Sequence, residues 1–243
     1  MKLKHATVLA IAAGIIAPPC AIAGVYTYTS SPGAIIPDGS DLGVIDTINV
    51  TFAEGHIVAG LRVTLDITGG YNGDLFAYLY HESGDNVGFS VLLNRPGRTA
   101  SDPDGYPDTG FNITFDDSAP ADIHSYRLTL DPNGGVLTGI WQPDARTASP
   151  YSVFDTSDRS AFLSSFLGHD PRGDWTLFVA DVSPAGVSTL NSWSIEIVPA
   201  PEPTSLACAA VMGLTALTWQ VRRRKHAANA TKPNINSMEV TRD

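Results

Sequence analysis

The chain has 243 residues, 43% of them hydrophobic and 16% charged, with 17 prolines and 22 glycines, a composition that excludes a disordered polyelectrolyte and a coiled coil. Its formal charge of −10 excludes a generic nucleic-acid binder, which needs a basic surface to neutralise phosphates. With the two terminal segments described below set aside, about 175 residues remain, enough for one core and one domain.

At the N-terminus, Lys2 and Lys4 precede an apolar run from Ala6 to Ala17, and Ala21-Ile22-Ala23 supplies small side chains at the −3 and −1 positions of a signal-peptidase site. Residues 1–23 read as a secretory signal helix cut by signal peptidase between Ala23 and Gly24. A dozen apolar residues reach only about 18 Å as helix, short of the roughly 30 Å bilayer core, which argues against a permanent anchor here. Beyond this segment the only cysteine is Cys208, so no intramolecular disulfide is expected.

Residues 24–198 carry the strand signal. Apolar residues occupy alternate positions in Ile57-Ala59-Leu61-Val63-Leu65-Ile67, which buries one face of a sheet. Similar segments are Ile48-Val50-Phe52, Phe89-Val91-Leu93, Phe111-Ile113-Phe115, Tyr126-Leu128-Leu130 and Trp193-Ile195-Ile197, while Leu75–Tyr80 and Trp175–Ala180 are more continuously apolar, as in central strands. About eight strands separated by Gly, Pro, Asn and Asp clusters predict an all-β sandwich. One short helical connector is predicted at Ser157–Leu167, where Phe162, Leu163, Phe166 and Leu167 share a face and Gly168 offers a stop.

From Gly24 to Ala200 there are seven arginines and no lysine against nineteen aspartates and three glutamates, a net −15. Aspartate suits turns through hydrogen bonds to its own backbone, and calcium through hard oxygen ligands. Asp74 follows a glycine turn, and Asp116-Asp117 and Asp181 close strands; these four are the candidate calcium ligands, expected to converge on one ion. The loop Asp102-Pro103-Asp104-Gly105-Tyr106-Pro107-Asp108 is acidic but lacks an EF-hand register. His56, His81, His124 and His169 belong to no catalytic motif, no Gly-x-Ser-x-Gly elbow occurs, and neither His-Glu-x-x-His nor a usable cysteine pair is present. These histidines read as surface or turn residues, and no catalytic residue is expected.

The C-terminal part reads Pro201-Glu202-Pro203, then an uncharged stretch over residues 204–221, then Arg222-Arg223-Arg224-Lys225 and a polar tail to Asp243. Residues 199–203 are the linker, and eighteen helical residues reach about 27 Å, long enough to cross a bilayer with the basic cluster of 222–243 in the cytoplasm. This order resembles the PEP-CTERM sorting signal of Gram-negative bacteria. The resemblance implies an inner-membrane-anchored precursor, recognition by an exosortase, and transfer to the cell envelope, its exopolysaccharide or the medium. The family usually stops soon after the arginines, whereas this chain continues from His226.

Several segments line up in order: Ile36-Pro37-Asp38, Asp66-Ile67-Thr68, Tyr71-Asn72-Gly73-Asp74-Leu75, Thr114-Phe115-Asp116-Asp117, Gly173-Asp174-Trp175-Thr176-Leu177 with Asp181, and Leu190-Asn191-Ser192-Trp193-Ser194. The succession, over residues 36–198, resembles the P domain, or Homo B domain, of kexin- and furin-like proprotein convertases and bacterial subtilisin-like proteases. It implies a jelly-roll β-sandwich with Trp175 and Trp193 in its core, which in those proteases packs beside the catalytic domain and supports its stability, calcium dependence or substrate selection. The loop Ser183–Ser188 departs from the family by lacking an Asp-x-Gly turn. A non-catalytic exported protein that binds a partner, matrix or calcium is the expectation; the alternative is an accessory module acting in trans with a subtilisin-like serine endopeptidase.

Overall fold

The computed structural model describes residues 24–201 together with Trp219, which is helical. The expected signal with Ala23, the Glu202-Pro203 part of the sorting motif, the span apart from Trp219, and Arg222, Arg223 and Arg224 lie outside the described residues. Among the described residues no helix is long and apolar enough to cross a membrane.

The described chain is almost entirely strand: β1 (Tyr26–Ser30), β2 (Ala34–Ile36), β3 (Ser40–Val50), β4 (His56–Gly69), β5 (Leu75–Ser83), β6 (Asn86–Asn94), β7 (Gly110–Phe115), β8 (Leu137–Trp141), β9 (Gly173–Asp181) and β10 (Ser188–Pro201). One sheet runs β1-β10-β4-β7-β8 with β2 also on β10, and the other runs β3-β9-β5-β6. The last strand thus lies between the first and fourth, and the next-to-last between the third and fifth, the nesting that a jelly-roll-like sandwich requires. All pairings are antiparallel except β7 with β8.

The inner faces follow from the alternation. Val63, Leu65 and Ile67 of β4, Phe111, Ile113 and Phe115 of β7, and Trp193, Ile195 and Ile197 of β10 meet Leu75, Ala77 and Leu79 of β5 and Trp175, Leu177 and Val179 of β9 in one buried cluster. Trp175 and Trp193 are its largest fully buried side chains, 0% and 1% exposed. Each indole N–H is satisfied, Trp175 donating to the Pro171 carbonyl at 2.9 Å and Trp193 to Asp46 Oδ2 at 2.6 Å. The second bond ties the two sheets together, because Asp46 lies on β3 and Trp193 on β10. At roughly 25 cal/mol per Å2, burying 150–250 Å2 per ring makes each tryptophan worth about 4–6 kcal/mol of hydrophobic stabilisation before entropy.

Four expectations differ from the structure. The segment Tyr126-Leu128-Leu130 is no strand: Ile123–Leu128 forms a 3-10 turn begun by Asp122, whose carboxylate accepts the His124 N–H, and Tyr126 is buried while Leu128 is 87% exposed. The helix expected over Ser157–Leu167 is a four-residue 3-10 turn, Leu163–Phe166. Its N-terminal half instead pairs across to other segments, the Ser160 and Ala161 N–H groups donating to the Ala145 carbonyl and Ala161 accepting from Val91 of β6, so this stretch covers the β6 edge. In β4 the alternation changes phase. Pairing with β10 skips Ala59 between Gly60–Val198 and Val58–Pro199, a bulge that turns Val58 inward and Ala59 outward. Finally, Phe52 lies beyond the end of β3, and Pro199-Ala200-Pro201 of the expected linker continue β10, opposite Val58, Ile57 and His56.

Candidate cation site

The four aspartates taken as calcium ligands do not meet. Asp74 sits beside the start of β7, because Asn72 just before it binds Gly110, whereas Asp116 and Asp117 follow the end of β7. Six residues of strand, about 20 Å, separate the two ends.

At the far end both carboxylates have protein partners. Asp116 accepts from Arg62 Nε at 2.7 Å, from the Ser118 N–H at 2.8 Å and from Ser118 Oγ at 2.6 Å. Burial works against its charge, but these bonds and the Arg62 guanidinium hold the carboxyl below its usual range. Asp117 spans the start of the Leu163–Phe166 turn, accepting the N–H groups of Leu163 at 3.0 Å and Ser164 at 2.7 Å. These are structural roles.

At the near end, residues Asn72–Asp74 form a 3-10 turn leading into β5. Asn72 is wholly buried and pins the turn through both directions of its amide, to the Gly110 carbonyl at 3.2 Å and from the Gly110 N–H at 2.8 Å. Gly73 is obligatory, since a Cβ there would lie 2.2 Å from the Asp104 carbonyl oxygen. The turn delivers Asp74, 5% exposed, beside Asp181, 0% exposed, at the end of β9, where Asp181 is the register partner of Leu75. One cation faces them. Arg95 donates from Nε to the Gly73 carbonyl at 2.5 Å and from Nη2 to Asp74 Oδ1 at 3.2 Å and the Pro103 carbonyl at 3.4 Å.

Asp181 is less well served. Its Oδ1 takes a long 3.4 Å contact from the Ser183 N–H, and its Oδ2 is buried with no hydrogen-bond partner. Above the pair, Tyr71, Asp74, Asp104, Ser183, Pro184 and Ala185 line a pocket of about 270 Å3, and Asp38 accepts the Ala185 N–H at 3.1 Å. Burial first, then mutual repulsion, pushes Asp74 up to about 6 against the opposing pull of Arg95. Burial, with the Asp38 charge adding, pushes Asp181 up to about 6 as well. Among the described residues no three His, Cys, Asp or Glu side chains are gathered as a metal would require.

Of the acidic loop, Asp102 caps Gly105 at 3.3 Å, and Asp108 turns inward. It is fully buried and accepts from Arg127 at 2.6 and 2.8 Å, Tyr126 Oη at 2.6 Å and the Gly134 N–H at 2.8 Å.

Two histidines read as surface residues are core residues. His81 is 0% exposed, lies flat on Trp175 with ring centroids 4.1 Å apart, and points its two nitrogens at the carbonyls of Asp174 and Asp170, each at 2.9 Å. The signal was present in Leu75-Ala77-Leu79-His81, which continues the inward period of β5. His124, also 0% exposed, has Asp144 Oδ2 at 2.8 Å and the Arg98 carbonyl at 2.9 Å. Behind it Arg146 bridges Asp144 at 3.1 Å and Asp122 at 2.9 Å. Neither ring faces a serine, threonine or cysteine side chain.

No protein-family profile matches the sequence, and no curated protein matches it. Among solved structures, the chain is similar to the Aeromonas sobria serine protease in complex with its chaperone ORF2, at 14% identity over 74% of this chain and 27% of that chain, with a TM-score of 0.40. It is similar to the serine protease of Aeromonas sobria at 16% identity over 72% of this chain and 27% of that one, with a TM-score of 0.37. The chain thus spans about a quarter of the length of the solved chains it matches.

Proposed function

We propose that this chain is a non-catalytic binding module of the P-domain kind, exported and sorted through its C-terminal Pro-Glu-Pro segment, that works in trans beside a subtilisin-like serine endopeptidase. The observation that carries the reading is that the motif succession folds into the core of the module itself. Gly173-Asp174-Trp175-Thr176-Leu177 opens β9, Leu190-Asn191-Ser192-Trp193-Ser194 lies in β10, and the two tryptophans fill facing sheets of one sandwich. Tyr71-Asn72-Gly73-Asp74-Leu75 and Asp181 come together at one end of that sandwich. A serine hydrolase needs a nucleophile on an available imidazole, and His81 and His124 spend their nitrogens on carbonyls or a carboxylate, so neither of these two serves as such a base.

The test mixes the purified exported chain with each subtilisin-like catalytic domain that its source organism exports and follows protease half-life and kcat/KM on a peptide substrate. A saturable rise in half-life with at least one protease is expected, together with no hydrolysis by the chain alone. Peptide hydrolysis that tracks the purified chain, or no effect on any of the proteases, overturns the reading.

A further inference from the structure

We propose that the outer face of the β3-β9-β5-β6 sheet is a docking surface for a protein partner whose contact patch has an apolar centre and lysine or arginine at its rim. The inference rests on the reading of the chain as a binding module and names the face that binds. The two outer faces of the sandwich differ. An antiparallel sheet that turns one side to water carries polar residues there, and the β1-β10-β4-β7-β8 sheet does so: Thr64 lies across from Ser194 and Thr114, and Asp66 across from Asn112, with the Thr64 and Thr114 hydroxyls 2.9 Å apart. The other sheet does not. Leu75, Ala77 and Leu79 of β5 and Trp175, Leu177 and Val179 of β9 point into the core, so Phe76, Tyr78 and Phe178 point out. Ile45 lies across from Phe178, and Phe178 across from Tyr78. The Tyr78 ring centroid is 4.9 Å from that of Phe178, 5.3 Å from Phe89 and 6.0 Å from Phe76. The rings are half-buried, and Ile45 and Val87 at their flanks are 67% and 56% exposed. A contiguous apolar platform on a solvent-facing sheet marks an interaction surface.

Charge decides the occupant. The same face continues into a recess of about 420 Å3 lined by Tyr80, Glu82, Gly84, Asp174 and Thr176. Tyr80 Oη donates to Glu82 Oε2 at 2.8 Å and Asn49 Nδ2 to Asp174 Oδ1 at 2.6 Å, bonds that orient both carboxylates and leave the second oxygen of each open. Carboxylate oxygens only accept, so the visitor must donate, and a guanidinium or ammonium set against two carboxylates and the Tyr80 ring does so with its charge compensated. The module has no such cation to spare. From residue 24 to 201 there is no lysine, and each of the seven arginines already holds a carboxylate or a carbonyl. A second copy would bring an equally acidic face, and an anionic polymer or lipid surface would meet these carboxylates with like charge. A basic protein surface with an apolar centre satisfies both halves: aliphatic or aromatic side chains on the Phe178 and Tyr78 platform, and a lysine or arginine in the recess.

The experiment follows backbone amide shifts of the isotope-labelled exported chain on addition of a short peptide of alternating leucine and lysine, of its leucine–glutamate counterpart, or of a neutral glucan oligosaccharide. Saturable shifts at Ile45, Tyr78, Glu82, Asp174 and Phe178 are expected with the lysine peptide and with neither of the others. Ile45→Lys, and the double substitution Glu82→Gln with Asp174→Asn, are each expected to weaken binding roughly tenfold. Thr29→Lys adds the same charge at an exposed position of the other sheet and is expected to leave binding as it is. No shifts on this face, equal shifts with the glutamate peptide, shifts with the glucan instead, or equal losses from Ile45→Lys and Thr29→Lys overturn the surface. The same variants in the protease half-life assay separate the two readings. Lysine-peptide shifts from a chain that protects no protease keep the surface and sink the protease partner, whereas protection that survives both Ile45→Lys and the double substitution keeps the partner and sinks the surface.

Discussion

Burying a charge demands partners, and His124 shows what the matching requires. Its Nδ1 faces a carboxylate oxygen of Asp144 and its Nε2 a backbone carbonyl of Arg98. Both partners are acceptors, an arrangement that favours a hydrogen on each nitrogen and so the imidazolium form. Burial opposes that charge and Arg146 repels it, yet the Asp144 carboxylate and the Arg98 carbonyl prevail and hold the imidazole above its usual range. A raised folded value means that the stabilisation is complete below about pH 6.5 and is lost as pH rises through the folded value. The melting temperature is therefore expected to fall as pH rises above about 6.5. His124→Gln, which cannot titrate, is expected to melt lower throughout but to lose that slope; an unchanged slope would place its origin elsewhere. The Asp74 and Asp181 pair acts in a separate window. Their values are raised to about 6, so any stability they add in the protonated form fades as pH climbs from about 4 through 6, below the histidine limb. None of this was legible in the sequence, since Asp144 is twenty residues from His124 and nothing local marks them as partners.

At the scale of strands, the reading depended on how regular the backbone is. Where alternation is uninterrupted, as in Leu61-Val63-Leu65-Ile67, the buried face follows directly from the residue types. It breaks at bulges, which cost one residue of phase and leave no apolar signature: at Ala59 the inward face flips, and at Asn191 the break is closed by the amide itself, which donates to Asp66 at 3.0 Å and Thr68 Oγ1 at 3.2 Å. Short edge strands escaped for a related reason. β1, β2 and β8 have one row of partners each and expose Tyr26, Ile35 and Ile140, so their sequences carry little pattern. The edge strand β3 contains a deformation whose cause is visible in the packing. Gly43 has φ +54 and lies under the Phe178 ring, where a Cβ would come within 2.5 Å of the Val179 carbonyl oxygen and 2.8 Å of the ring. A β-branched residue would be wrong both for the left-handed backbone and for the space. Gly43→Val is expected to cost about 2–4 kcal/mol in a denaturant titration. Gly84→Ala also sits at positive φ, +60, but meets open space, so a loss of about 1 kcal/mol is expected there; equal losses at the two sites would show that packing against Phe178 contributes nothing.

For the molecule as a whole, the decisive element is β10. It pairs at once with β1, β2 and β4, carries Trp193, and runs to Pro201. The Pro-Glu-Pro segment therefore begins on the final residue of the last described strand. A cut beyond Pro203 leaves β1 to β10 intact, whereas a stop at Asn191 strips β1 of its partner, leaves β4 paired with β10 only at Ser188–Leu190, and uncovers the inner faces of both sheets. A chain ending at Pro203 is expected to melt within about 2 °C of the full-length protein, a difference below about 1 kcal/mol for a domain of this size. One ending at Asn191 is expected to lack a cooperative transition, because the loss of Trp193, Ile195 and Ile197 alone, roughly 7–15 kcal/mol, is as large as the 5–15 kcal/mol of a whole domain's stability. If the shorter chain melts cooperatively, β10 is dispensable and the sandwich closes in some other way. If the longer one is destabilised by several kcal/mol, residues after Pro203 contribute to the fold.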